Sequence, residues 1–314
     1  MTTVTASAPG KVVLSGEYAV LDGAPAISMA INRRAVVTLA PAGERGAAVT
    51  SVGLGGRNET TLLDCVARAL KFTDADKYSI TLNTSEFVDD ASGVKLGIGS
   101  SAALTVALVM ALASVMGEET DVGAVAAIAH RDFQNGAGSG VDIATSAAGG
   151  LLEFLKGKPG ISKFAWPKGL KFALLWSGVA ASTRDRVDRL AVNGTMPSRA
   201  RLSEEATKWA RAWAAGDADK LIEDCRNYIT ALVSFSVDHD LGIFEAGHDD
   251  LAKDALADGL AYKPCGAGGG DVGIVLATDS ARLSAFVTRA KTAGFKQLDI
   301  ELDSNGVQLA RESD

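Results

Sequence analysis

Hydrophobic positions along the chain recur with two periods, and each period predicts an element. Val4 to Ala6 and Lys11 to Leu14 flank Ala8-Pro9-Gly10, which reads as a strand, a sharp turn and a second strand before the Asp22-Gly23 turn. Ile31 to Ala40 and Ala47 to Val52 are rich in β-branched residues and separated by Pro41-Ala-Gly-Glu-Arg-Gly46, a second pair of strands. Leu62, Leu63, Val66 and Leu70 stand at helical spacing and predict a helix over about 60–71, with a strand over 78–82. From Ala102 to Met116 the chain is apolar except at Thr105 and Ser114, the mark of a buried helix that stops near Gly117. Thr120 stands where it can cap a helix from Asp121 to about Phe133.

Beyond that point Leu151 to Leu155 and Phe172 to Trp176 read as strands. Helices are expected from Pro197 to Ala215, Asp217 to Val237 and Asp249 to Ala257. The glycines that follow Lys263 run into an apolar strand ending at Leu276, and a helix from Asp279 to Ala293 stops at Gly294. Gln297 to Glu301 and Val307 to Ala310 flank Asp303-Ser-Asn-Gly306 as a terminal hairpin. No repeat, heptad or low-complexity tract interrupts this order. At 314 residues the chain exceeds the usual limit of a single core. Gly157-Lys-Pro-Gly160 and Trp166-Pro-Lys-Gly169 mark the junction, so domains of 1–168 and 169–314 are expected.

Composition narrows the classes of partner. Hydrophobic residues make up 47% and charged residues 22%, enough apolar surface for a sizeable core. A net charge of -7 and a pI near 5.1 argue against broad nucleic-acid or anionic-membrane binding, so an anionic ligand needs a local cationic pocket. Cys65, Cys225 and Cys265 are odd in number and widely spaced, which reads as reduced thiols in a cytoplasm. The N-terminus shows no basic segment followed by an apolar one, and no apolar run reaches the roughly 18 residues that span a bilayer. A cytoplasmic protein is expected.

The candidate chemistry centres on Lys95-Leu-Gly-Ile-Gly-Ser-Ser-Ala-Ala-Leu104. Gly97 and Gly99 allow a tight bend and close approach of a ligand, Ser100 or Ser101 can cap the helix, and its first amides suit phosphate oxygens. A plain turn and cap would use the same residues. Gly97-x-Gly99-x-x-Ala102 also fits a dinucleotide fingerprint, with Glu118 and Asp121 near the spacing of a ribose-binding acid. That fingerprint needs a strand just before it, and Phe87 to Lys95 is polar and turn-rich. The P-loop pattern is absent, so a phosphate-binding lysine has to come from elsewhere. Lys11 by itself reads as a solvated charge. Asp142, the one acid among the small residues from Gln134 to Gly150, is a helix cap or a base, and His130 reads as structural. Ser182 and Thr183 can cap a helix with Arg184 and Arg186 beside its start, either a solvated helix end or a site for an acidic group.

Three glycine-centred segments stand in fixed order: Ala8-Pro-Gly-Lys-Val-Val-Leu-Ser-Gly-Glu-Tyr-Ala-Val-Leu21, Gly97-Ile-Gly-Ser-Ser-Ala-Ala103 and Lys263-Pro-Cys-Gly-Ala-Gly-Gly-Gly-Asp271. Together they resemble the GHMP kinase superfamily over nearly the whole chain. His130-Arg-Asp-Phe-Gln-Asn-Gly-Ala-Gly-Ser-Gly-Val-Asp142 and Trp176-Ser-Gly-Val-Ala-Ala-Ser-Thr183 resemble its phosphomevalonate kinase branch, as does Tyr18 where mevalonate kinases usually show histidine. Ser177 stands for that branch's usual threonine, Asn135-Gly-Ala for a Gly-Lys-x, and Arg131 where the family often supplies a metal-binding carboxylate.

The resemblance implies an α+β protein of GHMP kinase fold, with a ribosomal-protein-S5-like N-terminal domain that binds ATP and a ferredoxin-like C-terminal domain. It implies ATP and Mg²⁺ as cofactors, with phosphates over Gly97, Gly99, Ser100, Ser101 and Ala102, and Ser101 reaching the metal. Lys11 and Asp142 would be catalytic, the lysine between donor and acceptor and the aspartate orienting it. Lys95, Ser139, Ser182, Thr183, Arg184 and Gly268 would face the substrate. The implied reaction is ATP-dependent phosphorylation of phosphomevalonate to diphosphomevalonate by a monomer or homodimer with no nucleic-acid or membrane partner. A mevalonate kinase or another small-alcohol kinase is the rival within the fold. Outside that reaction class stand a silent nucleotide- or metabolite-binding homologue and a dinucleotide-dependent oxidoreductase. A decarboxylase of the same superfamily would lack the lysine found here as Lys11.

Overall fold

The computed structural model describes residues 2–43, 46–53, 57–158, 160–181, 186, 189–190 and 196–312. The chain forms two compact units that exchange segments: Met1–Lys11 with Met29–Gly150 and Glu301–Asp314, and Val12–Ser28 with Leu151–Ile300. A single cut at 168/169 does not describe this partition, because β1 (Thr3–Ser15) and β2 (Ala26–Pro41) each run through a unit boundary and the last strand returns to the first unit.

The first unit carries a mixed sheet in the order β11-β1-β2-β4-β3, with β3 (Val49–Val52), β4 (Tyr78–Asn83) and β11 (Gln308–Glu312). β1 with β11 and β2 with β4 are antiparallel, while β3 lies parallel to β4 and not against β2. Among the described residues the α-helices of this unit are α1 (Arg57–Leu70), α2 (Ser100–Met116), α3 (Val122–Phe133) and α4 (Val141–Ala148). The expected sharp turn at Ala8-Pro9-Gly10 is absent, and β1 continues straight through it. Gly10 serves close packing instead, since a Cβ there would stand 2.7 Å from the Ile98 carbonyl oxygen and 2.8 Å from the Phe87 ring. The side chains of α2 from Ala102 to Ala113, Thr105 included, are buried apart from Met110, as the predominantly apolar run predicts.

The second unit holds the short β5–β6 hairpin (Leu151–Phe154, Ser162–Phe164) and a four-stranded antiparallel sheet in the order β10-β7-β9-β8. Its strands are β7 (Lys171–Trp176), β8 (Ala261–Pro264), β9 (Val272–Ala277) and β10 (Lys296–Leu298). Helices α5 (Pro197–Ala215), α6 (Ala218–Asp238) and α7 (His248–Ala257) separate β7 from β8, and α8 (Ser280–Thr292) separates β9 from β10. The order 4-1-3-2 with helices in the first and third connections is the split βαβ pattern of the ferredoxin-like fold. Ala173, Leu175, Tyr262, Val275 and Ala277 on one face pack with Leu251, Ala255, Phe286, Val287 and Ala290 of α7 and α8. The expected terminal hairpin does not form: β10 pairs with β7 and β11 with β1, each with a partner far away in sequence.

Cap positions correct the sequence reading. Asp121, not Thr120, caps α3 by accepting from the Ala124 amide at 3.0 Å. Asp217 and Asp279 cap α6 and α8 in the same manner. Cys65, Cys225 and Cys265 are buried thiols. Among the described residues no helix is long and apolar enough to cross a membrane.

Candidate active site

Within the first unit, β1, the glycine-serine turn, α3 and α4 bring their polar side chains to one place. The Lys11 amide donates to the Ile98 carbonyl at 2.9 Å, which ties the strand to the turn. Neither serine caps α2; its N-cap is Gly99 at φ 90°, a left-handed conformation that glycine adopts without penalty. A Cβ on Gly99 would stand 3.0 Å from both Cγ and Cε of Lys11, so the lysine stem lies across the glycine. The first intrahelical bond runs from the Ala103 amide to the Gly99 carbonyl. The amides of Ser100, Ser101 and Ala102 therefore precede the helical ladder, at the positive end of a long buried helix with no acidic residue in its first turn.

Lys11 is buried rather than solvated, with its side chain 10% exposed, and its Nζ stands 3.2 Å from Asp142 Oδ1. Asp142 is not a cap either. Gly140, at φ 91°, occupies the N-cap of α4, and Asp142 sits in the first turn with its side chain 35% exposed. Just ahead, Ser139 Oγ accepts from the Val141 amide at 3.3 Å. His130 Nε2 stands 3.1 Å from Ser101 Oγ, so the histidine reaches the same turn. Burial pushes the His130 imidazole below its ordinary range; Asp142 opposes this, while Lys11 and Lys95 add to it. The ring is neutral at pH 7. Lys95 is exposed and its backbone bridges Val88, so no regular strand leads into the turn and the dinucleotide fingerprint lacks its framework.

A second cluster lies wholly within the other unit. The glycine loop after β8 meets the turn after β7: the Asp271 amide donates to the Val179 carbonyl (2.7 Å), the Ser177 amide to the Asp271 carbonyl (2.9 Å) and the Ala181 amide to Asp271 Oδ1 (3.2 Å). Gly268 packs against Ile243, where a Cβ would stand 2.5 Å from the Ile243 carbonyl oxygen. Arg186 lies under Gly269, donates to the Leu241 carbonyl at 3.0 Å and stands 3.6 Å from Glu245. Ser182, Thr183 and Arg184 lie outside the described residues. Beside this cluster the Tyr18 hydroxyl donates to the Ala267 carbonyl at 2.7 Å, with its backbone at φ 60°. Glu17 is buried between the Lys263 ammonium and the Tyr228 hydroxyl.

Five of the sequence-derived residues, Lys11, Gly99, Ser100, Ser101 and Asp142, thus gather with His130 around the start of α2, and Gly97, Ala102 and Ser139 belong to the same segments. Gly268 belongs to the second cluster, and Lys95 sits at the solvent end of the turn. Asp271 was not singled out as a site residue by sequence reasoning, and Arg186 entered only as cationic charge beside a helix start. The signal available was an acid closing a glycine run in a segment matched only for its glycines.

Residues 61–150 match the family model described as GHMP kinases N terminal domain. The phosphomevalonate kinase of Streptomyces sp. (strain CL190) is 31% identical, over 97% of this chain and 98% of its own length. A mevalonate kinase of Methanothermobacter thermautotrophicus is 39% identical, over 47% of this chain and 49% of its own. Among solved structures, Streptococcus pneumoniae phosphomevalonate kinase in complex with phosphomevalonate and AMPPNP shares the fold with a TM-score of 0.81 at 20% identity, covering 95% of this chain and 99% of that one. With a 31% identical relative matched over 97% of the chain and the family model lying over the turn that Lys11 crosses, the chain belongs to the GHMP kinase family.

Proposed function

We propose that this protein is an ATP-dependent kinase that phosphorylates phosphomevalonate to diphosphomevalonate. The observation that carries the reading is the Lys11–Asp142 pair poised beside the open amides of α2. A helix start and a buried ammonium supply positive charge where a triphosphate and a second anion must meet. Similarity to the Streptomyces enzyme over 98% of its length supports the choice of acceptor.

In this reading the amides of Ser100, Ser101 and Ala102 and the bend at Gly97 and Gly99 cradle the nucleotide phosphates. Lys11 stabilises charge on the phosphoryl in flight and reduces repulsion between donor and acceptor. Asp142 holds the lysine in place through the 3.2 Å contact. A phosphate monoester has a second pKa near 6 and is mostly deprotonated at pH 7, so the reaction asks little of a general base. Lys95, Ser139, Gly268 and the turn running into Ser182, Thr183 and Arg184 are the residues we assign to the acceptor.

Among the described residues no group of three or more acidic, histidine or cysteine side chains is arranged as a metal cage, and residue 131 is arginine. The donor set fits an ion that arrives with its nucleotide. Ser101 is the protein ligand we assign to Mg²⁺, and phosphate oxygens and water would supply its other ligands. When bound, the ion neutralises phosphate charge; the chain's own part is to hold and orient. His130, neutral and in contact with Ser101 Oγ, fixes that hydroxyl's direction.

A second reading, mevalonate kinase, draws on the higher identity to the archaeal enzyme over about half of this chain. An ADP-release assay with mevalonate, phosphomevalonate and sugar acceptors side by side separates the two. We expect kcat/KM for phosphomevalonate to exceed that for mevalonate by about 100-fold or more, since a site built for a phosphate leaves cations unpaired when it is missing. Preference for mevalonate would overturn the assignment, and nucleotide binding without turnover on any acceptor would point to a silent homologue.

A further inference from the structure

The buried His248 lies outside everything assigned above. His248 opens α7, is fully buried, and bonds in two directions: Nδ1 stands 2.7 Å from the Tyr262 hydroxyl and Nε2 stands 3.1 Å from the Gly270 carbonyl oxygen. A carbonyl can only accept, so Nε2 carries the proton and Nδ1 accepts from the tyrosine. The tautomer is thereby fixed. The Tyr262 hydroxyl has room only because residue 273 is glycine, where a Cβ would stand 2.2 Å from it.

The loop that His248 grips is an unusual stretch of backbone. Gly268, Gly269, Gly270 and Asp271 have φ of 73°, 71°, 149° and 53°, four consecutive residues outside the ordinary range. Asp271 is not a glycine, and a side-chain-bearing residue persists in that strained conformation only where its surroundings over-determine it. Those surroundings include the bonds of Asp271 to Ser177, Val179 and Ala181, with the His248 bond to Gly270 one residue before.

We propose that His248 is a positioning residue: through the Gly270 carbonyl it sets the glycine loop, and through Asp271 it sets the turn from Ser177 to Ala181 that receives the acceptor's phosphate. Tyr262, which packs with Phe286 in the core, anchors the relay at its other end. Burial holds the imidazole down at about 4, so it stays neutral across any ordinary assay range and donates steadily to Gly270. The inference rests on the assignment of this turn to the acceptor.

Steady-state kinetics on the full chain test it, with His248→Ala, His248→Gln and Tyr262→Phe. We expect His248→Ala to raise KM for phosphomevalonate about 10-fold or more with KM for ATP changed less than about 2-fold. His248→Gln, which can place an amide N–H near the Nε2 position, should recover most of that loss. Tyr262→Phe keeps the aromatic ring but leaves His248 Nδ1 without its donor, should raise the acceptor KM about 3-fold, and carries the test if the alanine variant does not fold. Equal changes in both KM values without rescue by glutamine, or unchanged acceptor KM in folded variants, overturn the inference. If the unmodified protein fails to use phosphomevalonate, the assigned reaction falls, and the same ratio is read against whichever acceptor it turns over fastest.

Discussion

Lys11→Met removes one ammonium and keeps the stem that crosses Gly99. With only 10% of that side chain exposed, methionine fills nearly the same space. The Asp142 carboxylate left behind is 35% exposed and can hydrate, so little buried charge is stranded. The ammonium's own burial also carried a desolvation cost that the substitution relieves. Stability should therefore change by less than about 1 kcal/mol, the scale of partly exposed ion pairs. Catalysis should fall far more. Loss of one preorganised group aimed at developing charge costs about 100- to 1000-fold in kcat, or about 2.7–4 kcal/mol. ADP release gives the rate and urea unfolding gives the stability on the same preparation. Asp142→Asn is the companion variant: with an acceptor already ionised it should lose only about 10-fold, because the amide oxygen can still receive a bond from Lys11. A Lys11→Met enzyme within about 5-fold of the unmodified rate would refute the placement of Lys11 at the reacting phosphoryl, and equal collapse of both variants would favour an alcohol acceptor that needs a base.

Gly99→Ala should cost about 1–3 kcal/mol, since φ of 90° disfavours any side chain and the new Cβ would press on the Lys11 stem. Urea unfolding reads that loss, kcat should drop at least about 10-fold, and a variant with unchanged stability and rate would show that the stem does not need this space. The pH dependence of stability follows from His248. Its folded value near 4 lies below the unfolded 6.5, so the stability it contributes is present above pH 6.5 and is lost as pH falls toward 4. Between pH 7.5 and 5 that loss amounts to about 2 kcal/mol, which should be missing from the pH profile of His248→Gln in urea titrations; parallel profiles would mean the ring is not held neutral in the fold.

Much of the helical framework was legible because its signals are local. The largely apolar run of α2 and the apolar spacing of α5, α6 and α8 fix those elements to within a residue or two. Strand pairing was not legible, because partners such as β10 and β7 or β11 and β1 lie far apart in the chain and share no local code. The Pro9-Gly10 pair carried a turn signal, yet glycine stands there so that Ile98 and Phe87 can approach a straight strand. At the site, residue types were readable and contacts were not. Ser100 and Ser101 had the chemistry of a cap, but the left-handed Gly99 takes that position and leaves Ser101 to His130. Asp142 had the same chemistry and was drawn instead to Lys11. The roles of Asp271 and His248 depend on four successive unusual φ values, which no pattern of residue types announces.

Whether a phosphoanhydride is made can be read from phosphorus NMR of the enzyme incubated with ATP, magnesium and phosphomevalonate. The proposed reaction predicts that the phosphomonoester resonance disappears in step with ATP, that a pair of mutually coupled diphosphate signals separate from those of ADP replaces it, and that Lys11→Met abolishes the change over the same time. A phosphomonoester signal that persists while mevalonate, offered in its place, gains one would contradict it.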